Sequence, residues 1–427
     1  MAVRHGYGKV AGTDALVFAY DTGDTRNSYK GEPTTNYTTD TPSQGGWSGT
    51  YEVLDSSRKT FRLNVSNFHT DNRGWRSFTW DLTAYSGQSV TISATVEVPS
   101  SSPGTFAWIM IGQTNTYTNN RGAGQYLGYS AGSERYQKTT TTTERITWSG
   151  VLGSMSGANQ PSGHVGFTLW YNDGTPGTNS YVEISDVQIE TKSHATPFTA
   201  GTRSATQGLK DLTGNTSIDL TNAGFDSNAQ LDFDGTNTYI PKFTDSIFQF
   251  ADTDLTYEVV VNFNSNPDSY QTLIGLADTN DYIPRINLSK FRSGTGTNGK
   301  VGNVYMQLID QNGSGTAAAD PVLSGTDLVA GGYYHYVGVI SKPAGSSTYY
   351  VYLYRNGELV TTTNSGRTTY DTTQGVQGSI GLAVGTQFGN TASVLDGQLP
   401  VAKVYNRALT AAEVQNNYRN YKGRFNI

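Results

Sequence analysis

Three carboxylates in one strand-like stretch, Glu183, Asp186 and Glu190, are the first candidates for chemistry. Two carboxylates on one face of a strand can act as acid and nucleophile in glycoside hydrolysis. Asp186 follows Glu183 by three residues, and side chains alternate between the two faces of a strand, so these two point to opposite faces. The spacing therefore does not predict a catalytic pair, and we expect a protein that is not an enzyme.

Neither the histidines nor the glycine-rich segments have the spacing of a reactive site. The five histidines are scattered, without the spacing of metal ligands. His335 lies in an aromatic stretch, Tyr333–Tyr336, and we interpret it as a packed strand residue rather than a functional one. Gly294–Gly299 lacks the Lys-Ser/Thr pair and the following helix of a phosphate-binding loop, and is typical of a hairpin loop.

The composition favours an all-β protein. The 427 residues include 49 Gly and 28 Tyr, and only 15% are charged, a profile of short strands joined by tight turns. The absence of cysteine excludes disulfides, thiolate metal sites and a cysteine nucleophile. A net charge of −6 without a basic run argues against nucleic acid as a partner.

The chain gives no sign of a targeting segment or of insertion into a membrane. Met1–Tyr7 contains no apolar stretch of the kind found in signal peptides. No apolar run approaches the roughly 20 residues of a membrane span. We expect a component of a particle that is made in a bacterial cytoplasm and released by lysis.

Alternating and apolar runs predict the strands that would carry any site. Thr91–Val98 has the period of two of a half-buried strand, Phe106–Ile111 resembles a central strand, and Leu255–Phe263 is a long apolar strand. Asn356 and Gly357 suit the positive φ angles of a two-residue hairpin turn.

One short helix is predicted to begin at Thr410. Thr410 and Glu413 have the spacing of a capping box, and Leu409 and Val414 that of a hydrophobic staple. We expect this helix to plug one end of a sandwich.

Residues 47–190 resemble a jelly-roll of the galactose-binding-like, carbohydrate-binding-module type. The similarity rests on three motifs in the family's order: Gly46–Ser48, Gly87–Ala94 and Ile184–Glu190. The resemblance implies a jelly-roll β-sandwich over residues 37–192, followed by a connector over residues 193–210.

Residues 208–427 resemble the concanavalin A-like (laminin G-like) sandwich. The motifs are Asp211–Asn215, Leu231–Asn237 and the closing stretch Asp396–Val414. The opening strand that usually precedes the first of these motifs occurs far upstream, at Ala15–Asp24. We therefore predict that the jelly-roll is inserted into, or precedes, a sandwich over residues 211–427, and that the arm over residues 1–36 completes that sandwich.

Three tryptophans are candidates for carbohydrate binding, which needs exposed aromatic platforms. Trp170 falls on the face opposite Phe167 and Leu169 and is therefore a candidate for outward presentation. Trp108 and Trp75 are further candidates. Each tryptophan also fits packing in a core or at a contact, and both roles stay open.

Calcium is the cofactor that the resemblance implies. In carbohydrate-binding jelly-rolls the Asp that matches Asp186 often ligates a structural calcium ion, an ion that suits oxygen-rich loops. A solvated strand residue is the alternative for Asp186. Asp234 and Asp396 are weaker candidates in the sandwich, because both also fit turn roles.

The whole arrangement resembles structural proteins of tailed-bacteriophage virions, through the opening Phe18–Asn36, the connector Pro197–Ser204 and the ending Lys422–Phe425. This resemblance implies a fibre, decoration or adhesin module on the particle surface. Its partners would be other virion proteins, further copies of itself (a homotrimer is favoured) and cell-surface glycans. A soluble glycan-binding lectin, an architectural capsid cement protein and a polysaccharide depolymerase are the alternatives.

Overall fold

The computed structural model describes residues 15–46, 50–65, 73–98, 106–119, 122–126, 133–138, 143–153, 161–172, 180–265, 269–277, 285–290, 304–309, 330–373, 381–386, 391 and 393–427. Gly294–Gly299 and part of Gly46–Ser48 lie outside these residues. The chain divides into two compact units. Unit 1 consists of the chain up to Glu32 together with Ala205–Ile427, and unit 2 is Pro33–Ser204.

The strands of unit 2 are β2 (Thr34–Thr35), β3 (Ser43–Gly46), β4 (Thr50–Asp55), β5 (Thr60–Val65), β6 (Arg73–Asp81), β7 (Ser89–Glu97), β8 (Phe106–Asn119), β9 (Gly122–Tyr126), β10 (Ser133–Lys138), β11 (Glu144–Val151), β12 (Pro161–Asn172), β13 (Ser180–Glu190) and β14 (Thr202–Arg203). A 3₁₀ turn spans Thr83–Tyr85.

The strands of unit 1 are β1 (Leu16–Asp21), β15 (Gly224–Phe225), β16 (Leu231–Asp234), β17 (Leu255–Phe263), β18 (Gln271–Ala277), β19 (Arg285–Lys290), β20 (Val304–Ile309), β21 (Tyr333–Ser341), β22 (Tyr350–Arg355), β23 (Glu358–Asn364), β24 (Gly381–Val384) and β25 (Asp396–Tyr405). A 3₁₀ turn spans Ser246–Phe248, and helix α1 is Ala411–Phe425.

Unit 1 is a sandwich of two antiparallel sheets. Its described strands form one sheet in the order β15-β16-β25-β17-β21-β22-β23, with β1 also on β25, and a second sheet in the order β20-β19-β18-β24. Strand β1 pairs with the second half of β25, from Leu16 opposite Tyr405 to Asp21 opposite Val401. Strand β1, the first strand of the described residues, therefore completes a sheet whose other described strands follow residue 220.

The segment Asp211–Asn215 holds the free edge of β1. The Asp211 carboxylate accepts the backbone N–H of Ala19 at 3.0 Å, and Asn215 donates to the carbonyl of Val17 at 2.9 Å. The opening strand and this motif, separated by about 190 residues of sequence, thus form one local structure. Phe18 points from β1 into the core, 5.2 Å from the ring of Phe243.

Unit 2 is also a two-sheet sandwich. The described strands form the sheets β10-β8-β12-β6-β3, with β9 on β8, and β11-β7-β13-β5-β4. Alternate residues of the facing strands meet in a separate core that includes Phe61, Phe78, Ile92, Phe167 and Ile189. This pattern confirms the predicted all-β class with one jelly-roll and one further sandwich.

The ends of unit 2 pair with each other. Strand β2 pairs with β14, and the buried Glu190 accepts hydrogen bonds from Thr34 at 2.9 Å and from the Thr196 hydroxyl at 2.8 Å. Arg203 donates to the same Thr196 hydroxyl at 3.0 Å. Residues 193–204, expected to form a connector, therefore pack as part of unit 2.

Helix α1 begins as the sequence predicts. Thr410 accepts the Glu413 backbone N–H at 3.3 Å, and Glu413 accepts the Thr410 backbone N–H at 2.8 Å, a complete capping box. Leu409 and Val414 are both buried. In the described part of the chain, no helix has the length and apolar character needed to span a bilayer.

The expected position of α1 was wrong, because the helix lies across a sheet face rather than at an end of the sandwich. Val414 packs with Val337 and Val339, and Tyr421 packs with Val260 and Val401. These valines alternate with the core residues of β17, β21 and β25, so both faces of the central strands are apolar and both need cover.

Candidate functional site

The backbone register of unit 2 brings the three candidate tryptophans into one row. Trp170 on β12 is the direct partner of Trp75 on β6 and of Trp108 on β8. Directly opposed residues of antiparallel strands share a face of the sheet. Since Phe167 and Leu169 are buried in the core, the tryptophan row occupies positions on the other face.

The next row on that face contains paired hydroxyls. Ser77 is opposite Thr168, their side-chain oxygens are 2.7 Å apart, and both residues are buried. The two hydroxyls therefore satisfy each other and tie β6 to β12 next to the tryptophan row.

Asp186 sits at an irregular point of β13. The register shifts between Ser185 and Gln188, and Asp186 has φ of +51°, a left-handed conformation that Asp tolerates better than most residues. Its two carboxylate oxygens accept Nε of Arg58 at 2.9 Å and Nη2 of Arg58 at 2.6 Å. Its carbonyl accepts Nη1 of Arg145 at 2.8 Å.

Arg145 is the more enclosed of these two arginines. Burial lowers the pKa of Arg145, and the nearby charges of Asp186 and Glu190 oppose that effect. Its second terminal nitrogen donates to Ser93 at 2.6 Å. Two guanidinium groups therefore approach Asp186, one from the turn between β4 and β5 and one from β11.

Asp234 caps the turn that follows β16. Its Oδ1 accepts the backbone N–H groups of Thr236, Asn237 and Thr238 at 2.9, 2.7 and 2.9 Å. Burial raises the pKa of Asp234, but the backbone hydrogen bonds outweigh it and hold the pKa at about 2. Asp234 therefore has the turn role that its sequence position allows.

Asp396 lies directly opposite Asp234, at the start of β25. Its carboxylate accepts the hydroxyl of Ser265, and its backbone carbonyl accepts the N–H of Asn264 at 3.0 Å. The structure thus brings Asp234 and Asp396 together in unit 1, while Asp186 belongs to unit 2. Within the described ranges, no three His, Cys, Asp or Glu residues are grouped so that they could hold a metal ion.

The other two carboxylates of the strand that holds Asp186 are also occupied. Glu183 accepts Nη2 of Arg62 at 2.8 Å. Glu190 is fully buried and belongs to the hydrogen-bonded network that joins the ends of unit 2.

Sequence reasoning missed a buried charged cluster under α1. Glu258 accepts Nε2 of His335 at 2.9 Å, the Tyr405 hydroxyl at 3.0 Å and the Asn417 amide at 2.9 Å. The Lys403 ammonium lies 3.6 Å from the same carboxylate. A glutamate within the apolar run Leu255–Phe263 was the available signal.

The environment of Glu258 keeps it ionised. Burial by itself raises the pKa of Glu258, but the charge of Lys403 and the hydrogen bond from His335 outweigh burial and hold the pKa at about 2. His335 is fully buried, which confirms its interpretation as a packed strand residue. A carboxylate with its oxygens occupied and no access to solvent ties strands to helix rather than reacting.

The described residues therefore form a two-unit, all-β protein. The sandwich of unit 1, which holds the C-terminal part of the chain, is completed by strand β1. Residues 234–415 match the family model of the concanavalin A-like lectin/glucanases superfamily, so unit 1 contains a concanavalin A-like domain. No curated protein sequence matches the chain.

Several solved structures are similar in part. One is domain 4 of AbnA, an extracellular arabinanase from Geobacillus stearothermophilus, in complex with arabinotriose: 13% identity, 48% of this chain and 82% of that chain covered, TM-score 0.32. Another is the CBM40 of Ruminococcus gnavus IT-sialidase bound to α2,3-sialyllactose: 16% identity, 38% and 80% covered, TM-score 0.30. A third is the binding domain of botulinum neurotoxin serotype G: 15% identity, 50% and 48% covered, TM-score 0.35. TM-scores this low assign no function to the chain.

Proposed function

We propose that the protein binds glycans without cleaving them, through the tryptophan row of unit 2. The observation that carries this proposal is that Trp75, Trp108 and Trp170, far apart in sequence, are direct partners on three adjacent strands. Neighbouring strands lie about 4.8 Å apart, so the row spans roughly 10 Å across the sheet. A row of that length suits a linear glycan of two or three sugar rings.

The protein's place in a particle is the second part of the proposal. The resemblance to tailed-bacteriophage virion proteins supports a surface fibre, decoration or adhesin module that contacts other virion proteins and further copies of itself, a homotrimer being favoured. Repeated display would multiply a weak single-site affinity for host-surface glycans. We also propose a structural calcium ion at Asp234 and Asp396, two carboxylate residues that lie directly opposite each other on neighbouring strands.

Glycan-array binding followed by titration tests the first part. We expect the wild-type protein to bind a subset of linear glycans and Trp170→Ala to weaken binding at least about tenfold, because truncating a central aromatic contact commonly costs ~1.4 kcal/mol or more. Trp170→Phe should retain part of the affinity. Tyr270→Ala removes an exposed aromatic residue of unit 1 and should leave the affinity unchanged.

If the Trp170→Ala variant binds glycans as tightly as the wild-type protein, the tryptophan row is not the binding site. Release of reducing ends from a bound polysaccharide would instead support the depolymerase alternative. Mass spectrometry of purified virions with immunogold labelling tests the second part: absence of the protein from virions that carry its gene would leave a soluble lectin.

A further inference from the structure

The feature of interest is the left-handed residue Asp186, which interrupts the pairing of β13 at the point where a jelly-roll resemblance implies calcium. Its side chain is only 17% exposed. A carboxylate with this little exposure is costly to bury unless it has a positive or hydrogen-bonding partner. The groups around Asp186 decide whether that partner is a metal ion or a side chain.

The surrounding groups do not fit calcium. Calcium takes six to eight oxygen ligands, whereas the described groups that hydrogen-bond to the oxygen atoms of Asp186 are nitrogen donors. Arg58 occupies both carboxylate oxygens, and Arg145 occupies the carbonyl. A divalent cation at this point would have to displace one guanidinium and tolerate the charge of the second.

The turn between β4 and β5 holds Arg58 in place. The Asp55 carboxylate accepts the backbone N–H of Ser57 at 2.8 Å and of Arg58 at 3.2 Å. The backbone of Arg58 also contacts its partner, since its carbonyl accepts the N–H of Asp186 at 2.9 Å. Arg58 and Asp186 are thus joined by both side chain and backbone across 128 residues of sequence.

We propose that Arg58 stands in for the structural cation of unit 2. The planar guanidinium donates one hydrogen bond to each oxygen of Asp186, a forked geometry that the ammonium group of a lysine does not match. It fastens the β4–β5 turn to the interrupted strand and makes this part of the jelly-roll independent of divalent cations. If so, a calcium chelator should not weaken the proposed glycan binding through this part of unit 2.

Tryptophan fluorescence gives a readout specific to unit 2, because all six tryptophans fall between residues 47 and 170. Thermal unfolding is followed in EGTA and in calcium chloride for the wild-type protein, Arg58→Ala, Asp186→Asn and the double variant. Asn is chosen at position 186 because it tolerates the left-handed conformation while it removes the charge.

We expect the wild-type midpoint to be the same in both solutions. Each single variant should unfold about 2 °C lower or more, and the double variant should be no less stable than the single ones, since the two residues act as a pair. Arg62 provides the matched control, because it pairs with Glu183 and Glu52 instead. The effects of Arg62→Ala and Asp186→Asn should add.

Two results would overturn the proposal: a calcium-dependent rise of the wild-type midpoint that Asp186→Asn abolishes, or an unchanged midpoint in Arg58→Ala. A calcium-dependent rise that persists in Asp186→Asn belongs to another site and agrees with the proposal. The thermal readout uses no glycan, so failure of the proposed glycan binding leaves it intact.

Discussion

At the scale of single residues, Glu258 shows how one buried charge is accommodated. Its carboxylate receives hydrogen bonds from two strands and from α1, and Lys403 supplies the opposing charge. Removing one partner of a buried ion pair leaves the other charge unsatisfied, which typically costs about 3–5 kcal/mol. The stability of the helix–sheet contact should therefore depend on the ionisation of this residue.

We predict that Glu258→Gln lowers the free energy of unfolding at pH 7 by about 3 kcal/mol. The folded pKa of about 2 lies below the ordinary value of 4.5, so the contribution of Glu258 is fully present above pH 4.5. It is lost as the pH falls from 4.5 towards 2. Urea titrations of both proteins across this range measure it.

The difference between the two proteins isolates Glu258, because other carboxylates titrate equally in both. The difference should shrink to near zero by about pH 2. A difference that stays constant with pH would show that the glutamine acts by altered packing instead. Combining Glu258→Gln with Lys403→Met should recover much of the loss, since an apolar replacement removes the unpaired ammonium.

At the scale of elements, the helix shows a local signal that tertiary context completes. The capping box needs only the four residues from Thr410 to Glu413. Arg407 reinforces it with an ion pair of 2.7 Å to Glu413. The hydrogen bond from Arg407 holds the pKa of Glu413 at about 2, with burial opposing and the contacts of Thr410 assisting. The docking surface of the helix, in contrast, depends on strands distant in sequence.

Thr410→Ala should destabilise unit 1 by about 1 kcal/mol, because the helix loses the acceptor for its Glu413 backbone N–H. Chemical unfolding monitored by far-UV circular dichroism measures the change. Thr410→Ser keeps a hydroxyl at the cap and should stay close to wild type. Equal losses in both variants would mean that the threonine methyl group, not the cap, matters.

The hairpin turn is a second element that a short stretch of sequence predicts correctly. The hairpin at Asn356 and Gly357 has the expected positive φ angles, 48° and 80°. The tryptophan row, in contrast, is only partly predictable from the sequence. The alternation of β12 placed Trp170 away from Phe167, but no pattern in the sequence indicated that Trp75 and Trp108 would be its partners.

At the scale of the whole molecule, unit 1 is assembled from two separate segments of the chain, and unit 2 is the continuous segment between them. Strand β1 lies in the large sheet of unit 1, and Phe18 packs against Phe243 and Phe248 in its core. Unit 2 has its own core and its own pairing of ends, β2 with β14. The two units should therefore respond separately to substitutions in their cores.

We predict that Phe18→Ala destabilises unit 1 by about 3–5 kcal/mol. The transition of tryptophan fluorescence, which reports on unit 2, should keep its midpoint. The transition followed by tyrosine absorbance should move to lower denaturant. The reciprocal control, Phe167→Ala in the core of unit 2, should shift the fluorescence transition. A shift of the fluorescence midpoint by Phe18→Ala would contradict the assignment of β1 to unit 1.

The sequence by itself determined the all-β class, the position of the helix start, the hairpin turn and the likeness of the terminal stretch to a concanavalin A-like sandwich. Each of these depends on backbone preferences and side-chain periodicity within a few neighbouring residues. Only the tertiary structure decided which tryptophans share a row, that Arg58 meets Asp186, and that Glu258 lies under the helix. These contacts join residues more than 30 positions apart, and pairing between distant strands is set by the packing of the whole core rather than by any local segment.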